Sequence, residues 1–292
     1  MVPPKLTTGD RAAAALVGIV VGAQLGIDPV TSPEEPEGMR LAPALPDSPW
    51  PASGAVAMEA AKAFAGAKPD LRTFALALGD WDARDGRGAS PGLRRALREL
   101  HREAVPVAEA QEAIAEPLLA AIPIGIVARH SARNLASAAT HVTALLAPHA
   151  EVQHAAVALA VAAAHLASGH TDFISEVIEA MKADGAPEQL LAVPRRVPLT
   201  RREQLAGLLA DVSPAQAVLE AALWCADREP IAARGATLLA AMPLAPEVRS
   251  AACAAALGLM ALRDGMGAVP GRWQDQMPRC ETVASIGRQL AP

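Results

Sequence analysis

About a quarter of this chain is alanine, and it contains no tyrosine. Aromatic residues make up 2% although apolar residues reach 52%. Alanine is the best helix former, whereas the aromatic and β-branched residues that suit a pleated surface are sparse. The composition argues against a β-sandwich, a β-barrel or a parallel α/β sheet. It predicts an all-α protein whose small side chains let helices approach closely. A chain of 292 residues is long enough to bury a real core. We expect residues 1–292 to form a single compact helical domain. A helical solenoid would repeat every ~34–47 residues, and no such period is present.

Charge narrows the partners. The chain has 26 basic and 31 acidic residues, a net charge of −5 and a pI near 5.8. No strong basic field exists to hold a polyphosphate backbone, so nucleic acid is not an expected partner. Three cysteines, Cys225, Cys253 and Cys280, lie far apart without a CxxC pair. That pattern speaks against a disulfide framework or a zinc-thiolate site and fits a reducing cytoplasm. The uncharged stretch from Ala12 to Ile27 has sixteen residues, short for a membrane span. It lacks the charged flank and cleavage site of a signal peptide. A second uncharged stretch, 154–170, reads as a buried helix, so no membrane partner is expected.

Along the chain, residues 8–26 read as a first helix, capped by Thr8 or Asp10. Gly18, Gly22 and Gly26 recur every four residues on one face, a seam for close helix packing. Residues 28–53 hold seven prolines and read as a long loop, because proline fixes φ and removes a donor. A second helix is expected from near Ser53. Residues 79–92 read as a Gly- and Asp-rich loop, followed by a charged amphipathic helix. Residues 107–170 form an apolar region broken at Pro117, Pro123 and Pro148. Residues 185–203 read as a polar break, and the tail, 264–292, lacks strong periodicity.

Gly86, Gly88, Ser90 and Gly92 open a helix whose free amides suit an anion. Asp80, Asp82 and Asp85 sit in the same loop without calcium-loop spacing. The seven histidines show no pair four apart with a carboxylate between, so no zinc site is expected. Cys225 and Cys253 fall in apolar helices, where a thiol is usually inert.

Several ordered segments resemble the ADP-ribosylglycohydrolase family. GDRAAAALVGIVVGAQLG (9–26) resembles its first helix, and PWPASGAVAMEAAKAF (49–64) its Trp–Thr-Asp-Asp-Thr-Ala-Met helix start. DGRGASPGLRRAL (85–97) resembles a Gly-rich turn before a helix, where the family places its ligand. EPLLAAIPIGI (116–126) resembles a Gly-Ala-Ala-Met-Arg-Ala-Ala-Pro-Ile-Gly segment, and SAATH (137–141) a Thr-His segment. APEVRSAACAAALGLMALRDGMGAVPGRW (245–273) resembles an Asp-Thr-Asp-Thr-Asn-x-Ala helix followed by Ile-Pro and Trp. The resemblance implies an orthogonally packed all-α domain.

It also implies two magnesium ions held between the Asp-rich helix starts. Here Ser53, Gly54, Ala55 and Val56 stand where the family has Thr, Asp, Asp and Thr. Ala245, Pro246, Glu247 and Val248 stand where it has Asp, Thr, Asp and Thr. Ala23 replaces a further Asp, and Ala120 replaces the Arg. One glutamate cannot hold two magnesium ions, which need near-octahedral oxygen ligation. We therefore expect no metal, no cofactor and no magnesium-dependent hydrolysis.

What remains is a cleft around Asp47, Trp50, Ser53, Gly54, Ala55, Gly88, Ser90, Glu116 and Ala245. Trp50 would stack on a flat ligand, and Glu247 and His141 are the candidate catalytic groups. Two roles compete. One is a pseudoenzyme or binding module that keeps the cleft for a small molecule or a protein partner. The other is a repurposed, metal-independent enzyme acting on a more apolar small molecule in a bacterial biosynthetic pathway.

Overall fold

In the computed structural model, residues 6–27, 41, 50–66, 70–84, 86–103 and 112–291 are described, the side chains of 101–103 excepted. Most of the proline-rich segment 28–53, including Asp47, lies outside the described residues, as does Asp85. Among the described residues there are fifteen α-helices, three short 3-10 segments and no strand. The alanine-rich composition therefore specifies the helical class as expected.

Helix α1 (Thr8–Ile27) and helix α13 (Pro246–Asp264) form the central pair. They cross antiparallel along the glycine seam. A Cβ on Gly18 would lie 2.7 Å from the carbonyl oxygen of Leu257, one on Gly22 2.3 Å from that of Cys253, and one on Gly26 2.4 Å from Cα of Ser250. Only hydrogen fits in those gaps, so the seam is a packing device. The ends of the pair are cross-capped. Arg11, near the start of α1, donates to the carbonyls of Leu262 (2.6 Å) and Arg263 (2.7 Å) at the end of α13. Arg249, near the start of α13, donates to the carbonyls of Gly26 (2.7 Å) and Ile27 (3.2 Å) at the end of α1. Each arginine satisfies carbonyls that have no partner within their own helix, where the dipole also favours a cation.

Around this pair pack α2 (Ala52–Phe64), α11 (Pro214–Arg228), α12 (Ala232–Ala240) and α15 (Cys280–Gln289). On the far side of α2, α5 (Ala121–Ala128) crosses α7 (Ala150–Ala167) closely at Gly125, where a Cβ would meet the carbonyl oxygen of Ala160 at 2.2 Å. Helix α6 (Ala132–Leu146) covers α7. Helices α1 and α7 are long and apolar enough to cross a membrane, but 83% and 72% of their apolar windows are buried inside the fold.

Several boundaries differ from the sequence reading. The cap of α1 is Thr7: its hydroxyl accepts the Asp10 N–H at 3.1 Å while Asp10 accepts the Thr7 N–H at 3.2 Å. The expected loop at 79–92 begins later, because α3 (Leu71–Arg84) continues through it on the buried side chains of Phe74, Leu78 and Trp81. The supposed polar break at 185–203 contains α9 (Glu188–Arg196), whose Leu190, Leu191 and Val193 are buried. Its Arg196 binds the buried Glu220 of α11 with two side-chain hydrogen bonds. Pro123 does not break the 107–170 region: it sits in the first turn of α5, where a missing N–H costs little. The tail is also ordered. Val283, Ala284, Gly287 and Leu290 of the α15 region are buried, and Gly287 lies so close to α1 that a Cβ would be 2.6 Å from the Ala12 carbonyl oxygen.

Candidate functional site

Three helices begin with proline and end their first turns at one place. Helix α4 (Pro91–Glu103) follows Ser90, α11 follows Ser213, and α13 follows Ala245. Proline at the first position removes a donor that would have no helical partner. Between these starts and residues 112–116 lies a pocket of about 270 Å³. Pro91, Ile114, Pro214 and Val248 give it apolar walls, and Glu112, Glu116 and Glu247 give it carboxyl groups. A wider groove of about 680 Å³ lies between α3 and α4. Its charged side chains, Asp82, Arg95, Arg98 and Glu99, are exposed or half-buried, with one Asp82 oxygen buried without a hydrogen-bond partner; of the two, the smaller pocket is the one that holds a fully buried charged group.

That group is Glu116, fully buried at the start of a 3-10 turn (Glu116–Ala120). Its Oε1 accepts the backbone N–H of Ser90 at 2.6 Å. Its Oε2 is buried without a hydrogen-bond partner. Burial pushes the Glu116 carboxyl up; the Ser90 N–H opposes the rise, and the charge of Glu247 adds to it. Ser90 meanwhile caps α4, its hydroxyl accepting the Leu93 N–H at 3.2 Å. The Gly-rich turn ahead of it depends on positive φ at Gly86 (59°) and Gly88 (72°). It is tied to α2 by the Ala52 N–H, which donates to the Arg87 carbonyl at 2.8 Å.

The structure thus brings Ser90, Glu116 and Glu247 together around the pocket, with Gly88 in the turn leading to it. Trp50, Ser53, Gly54 and Ala55 lie in the core and do not line it. Trp50 packs on Gly54, and its carbonyl accepts the Trp81 indole N–H at 3.2 Å. Ala245 is the exposed N-cap residue of α13. His141 is exposed on α6, its Nδ1 2.6 Å from the Ser137 carbonyl of its own helix. The sequence reading missed Glu112 and the start of α11. It also missed that the anion at the α4 turn comes from the chain itself. One signal was available: Glu116 is the only charged residue in the apolar run 113–128.

An alanine-dominated helical bundle with a pocket at converging helix starts defines the class. The profile of the ADP-ribosylglycohydrolase family matches residues 4–292; the chain belongs to that family. A solved structure titled "ADP-ribosylglycohydrolase-related protein complex" is 22% identical, covers 97% of each chain, and superposes with a TM-score of 0.73. At that identity the likeness establishes the fold alone. No curated protein sequence matches the chain.

The two magnesium ions implied by the resemblance do not fit the donors at those positions. Ser53 is fully buried, its hydroxyl 3.5 Å from that of Ser250, which itself donates to the Ala23 carbonyl at 2.9 Å. Gly54 packs against Ala23 and Val20. Ala55, Ala245, Pro246 and Val248 carry no side-chain donor, which leaves Glu247. Among the described residues, no group of three or more His, Cys, Asp or Glu side chains is placed to hold a metal ion.

Proposed function

We propose that this chain is a non-hydrolysing member of its family, a binding module that keeps a reshaped pocket at the helix starts. The observation that carries this reading is the bond from the Ser90 N–H to Glu116 Oε1. The Gly-rich turn suits an anion, and in the family the ligand lies near it. Here an internal carboxylate occupies that turn. A phosphate-bearing ligand would have to displace Glu116 and approach Glu112 and Glu247, so like charges oppose it. The donor set around Ser53 and Ala245 supports the same reading, since hard divalent cations need several oxygen ligands.

The partner in this proposal is a small molecule in the pocket. A cytoplasmic location is supported by three free cysteines, two of them fully buried. The test is direct. Titrating magnesium by calorimetry should give no stoichiometric binding, and an ADP-ribosylated arginine peptide should remain intact with magnesium present. Magnesium-dependent cleavage would overturn the proposal.

A second reading, a metal-independent enzyme, draws on a different observation. Glu116, with its carboxyl pushed up by burial, shares the pocket with Glu247. Two carboxyl groups in unequal surroundings are the usual basis of acid–base division of labour. If any turnover is found, Glu247→Gln should abolish it while His141→Ala leaves it intact.

A further inference from the structure

Glu116 is fully buried, and one of its oxygens has no hydrogen-bond partner. Buried carboxyl oxygens are normally satisfied, because desolvation without a partner is costly. This oxygen belongs to a side chain that borders the pocket. The structure therefore retains an unsatisfied acceptor next to a space a ligand can enter.

The charge around that space has one sign. Glu112, Glu116 and Glu247 line it, and no lysine or arginine does so among the described residues. The helix starts would ordinarily favour an anion, but a group of the chain's own stands at each. The α4 start holds Glu116 Oε1. The α11 start is capped by Ser213, whose hydroxyl accepts the Gln216 N–H at 3.1 Å. The α13 start carries Glu247 in its own first turn. The remaining walls, Pro91, Ile114, Pro214 and Val248, are apolar. At about 270 Å³ the pocket is small, near the lower end of ligand sites, roughly 300 Å³.

We propose that this pocket binds a small organic cation, an ammonium or guanidinium group on a short aliphatic body, with Glu116 Oε2 accepting its hydrogen bond and Glu247 supplying the second negative charge. This inference rests on the binding-module reading and names its ligand class. A charged donor matches both needs: it satisfies the open oxygen and balances the carboxylates, while its aliphatic body lies on the apolar walls. A neutral donor would meet the first need alone. Burial favours the protonated form of the Glu116 carboxyl, whereas a bound cation favours the ionised form. Binding should therefore tighten as pH rises.

The full chain is titrated with n-butylammonium and n-butylguanidinium, and with butanol and butyrate as neutral and anionic counterparts, by calorimetry at pH 8. Saturable binding is expected for at least one cation, in the millimolar range for so small a probe (about −4 kcal/mol at 1 mM). Butanol and butyrate should bind at least about tenfold more weakly. Glu116→Gln should weaken the cation about tenfold, and so should Glu247→Gln, a half-buried position whose carboxamide leaves the fold intact. Repeating the titration from pH 5 to pH 8 should show affinity that rises with pH more steeply in the unmodified chain than in Glu116→Gln. Absence of saturable cation binding, equal binding of butanol, or unchanged affinity in both variants overturns the inference. Magnesium-dependent cleavage of an ADP-ribosylated peptide would instead overturn the non-hydrolytic reading, so the two failures are separable.

Discussion

The backbone N–H of Ser90 donates to Glu116 Oε1 at 2.6 Å, joining the turn before α4 to the 3-10 segment that precedes α5. Twenty-six residues separate the two. The bond spends the anion-binding capacity of a helix start on the protein's own side chain, while the opposite carboxyl oxygen stays open.

That relationship gives a pH prediction for stability. Burial raises the Glu116 carboxyl above the ordinary glutamate value of 4.5. The folded state therefore binds the proton more tightly than the unfolded chain. Stability from this group is complete below the ordinary value and is lost as pH rises through the folded one. Glu116→Gln keeps an oxygen for the Ser90 N–H and removes the ionisation. The variant should equal the parent near pH 4 and exceed it by about 1–3 kcal/mol, the cost of an unsatisfied buried group, at pH 8. Urea unfolding at the two pH values checks this. A variant that is less stable than the parent at pH 8 would contradict it.

The cross-capping arginines give a second prediction. Arg249→Ala removes donors to Gly26 and Ile27, and Arg11→Ala removes donors to Leu262 and Arg263. Each should cost about 1–2 kcal/mol, because helix-end carbonyls lose a partly buried cation. The two sites lie at opposite ends of the α1–α13 pair, so their effects should add within about 0.5 kcal/mol. Denaturant midpoints of both single variants and the double variant measure the sum. Lysine at position 249 should restore only part of the loss, since it lacks the planar fork that reaches two carbonyls.

Buried thiols give a third. Cys225 and Cys253 are fully buried, and burial pushes Cys253 up to about 12 and Cys225 higher still. Cys280 is half-buried and raised less. A thiol reagent at pH 8 should label one cysteine per folded chain, and labelling should fall on Cys280. Unfolding in guanidinium should expose all three. Fast labelling of Cys253 in the folded protein would show that the α1–α13 interface opens.

The features legible in the sequence were those set by local chemistry. Alanine content and the Gly18–Gly22–Gly26 spacing announce the class and the seam, because both follow from side-chain size alone. The turn at Gly86–Ser90 was legible for the same reason. Tertiary burial was not. The tail reads as irregular because Val283, Ala284, Gly287 and Leu290 bury a narrow stripe on a short helix among exposed polar residues. Residues 188–196 read as polar because Arg195 and Arg196 mask Leu190, Leu191 and Val193. At the site, the resemblance indicated Ser90, Glu116 and Glu247, but the core positions of Trp50 and Ser53 depend on packing that no local pattern encodes. The capture of the α4 turn by Glu116 is a contact between distant residues and leaves no spacing to read.

The seam itself supports the last prediction. At Gly22 a Cβ would stand 2.3 Å from the Cys253 carbonyl oxygen and 2.8 Å from Cα of Ala254. Those neighbours are backbone atoms in the buried stretch of α13, so they yield only if α13 moves away from α1. Overpacking of a rigid core costs about 1–3 kcal/mol and sometimes more, and Gly22→Ala should reach at least the upper end of that range. Gly207, inside α10 (Arg202–Ala210), meets nothing within 4 Å. Gly207→Ala should therefore stabilise the protein by about 0.5–1 kcal/mol, because alanine gives up less backbone freedom in a helix than glycine. The same substitution thus acts with opposite sign at two helical sites. Chemical denaturation of both variants decides the matter. If Gly22→Ala is tolerated as well as Gly207→Ala, the close antiparallel crossing of α1 and α13 is wrong. The arrangement of Arg249, Ser250 and Glu247 relative to the pocket would then be wrong with it.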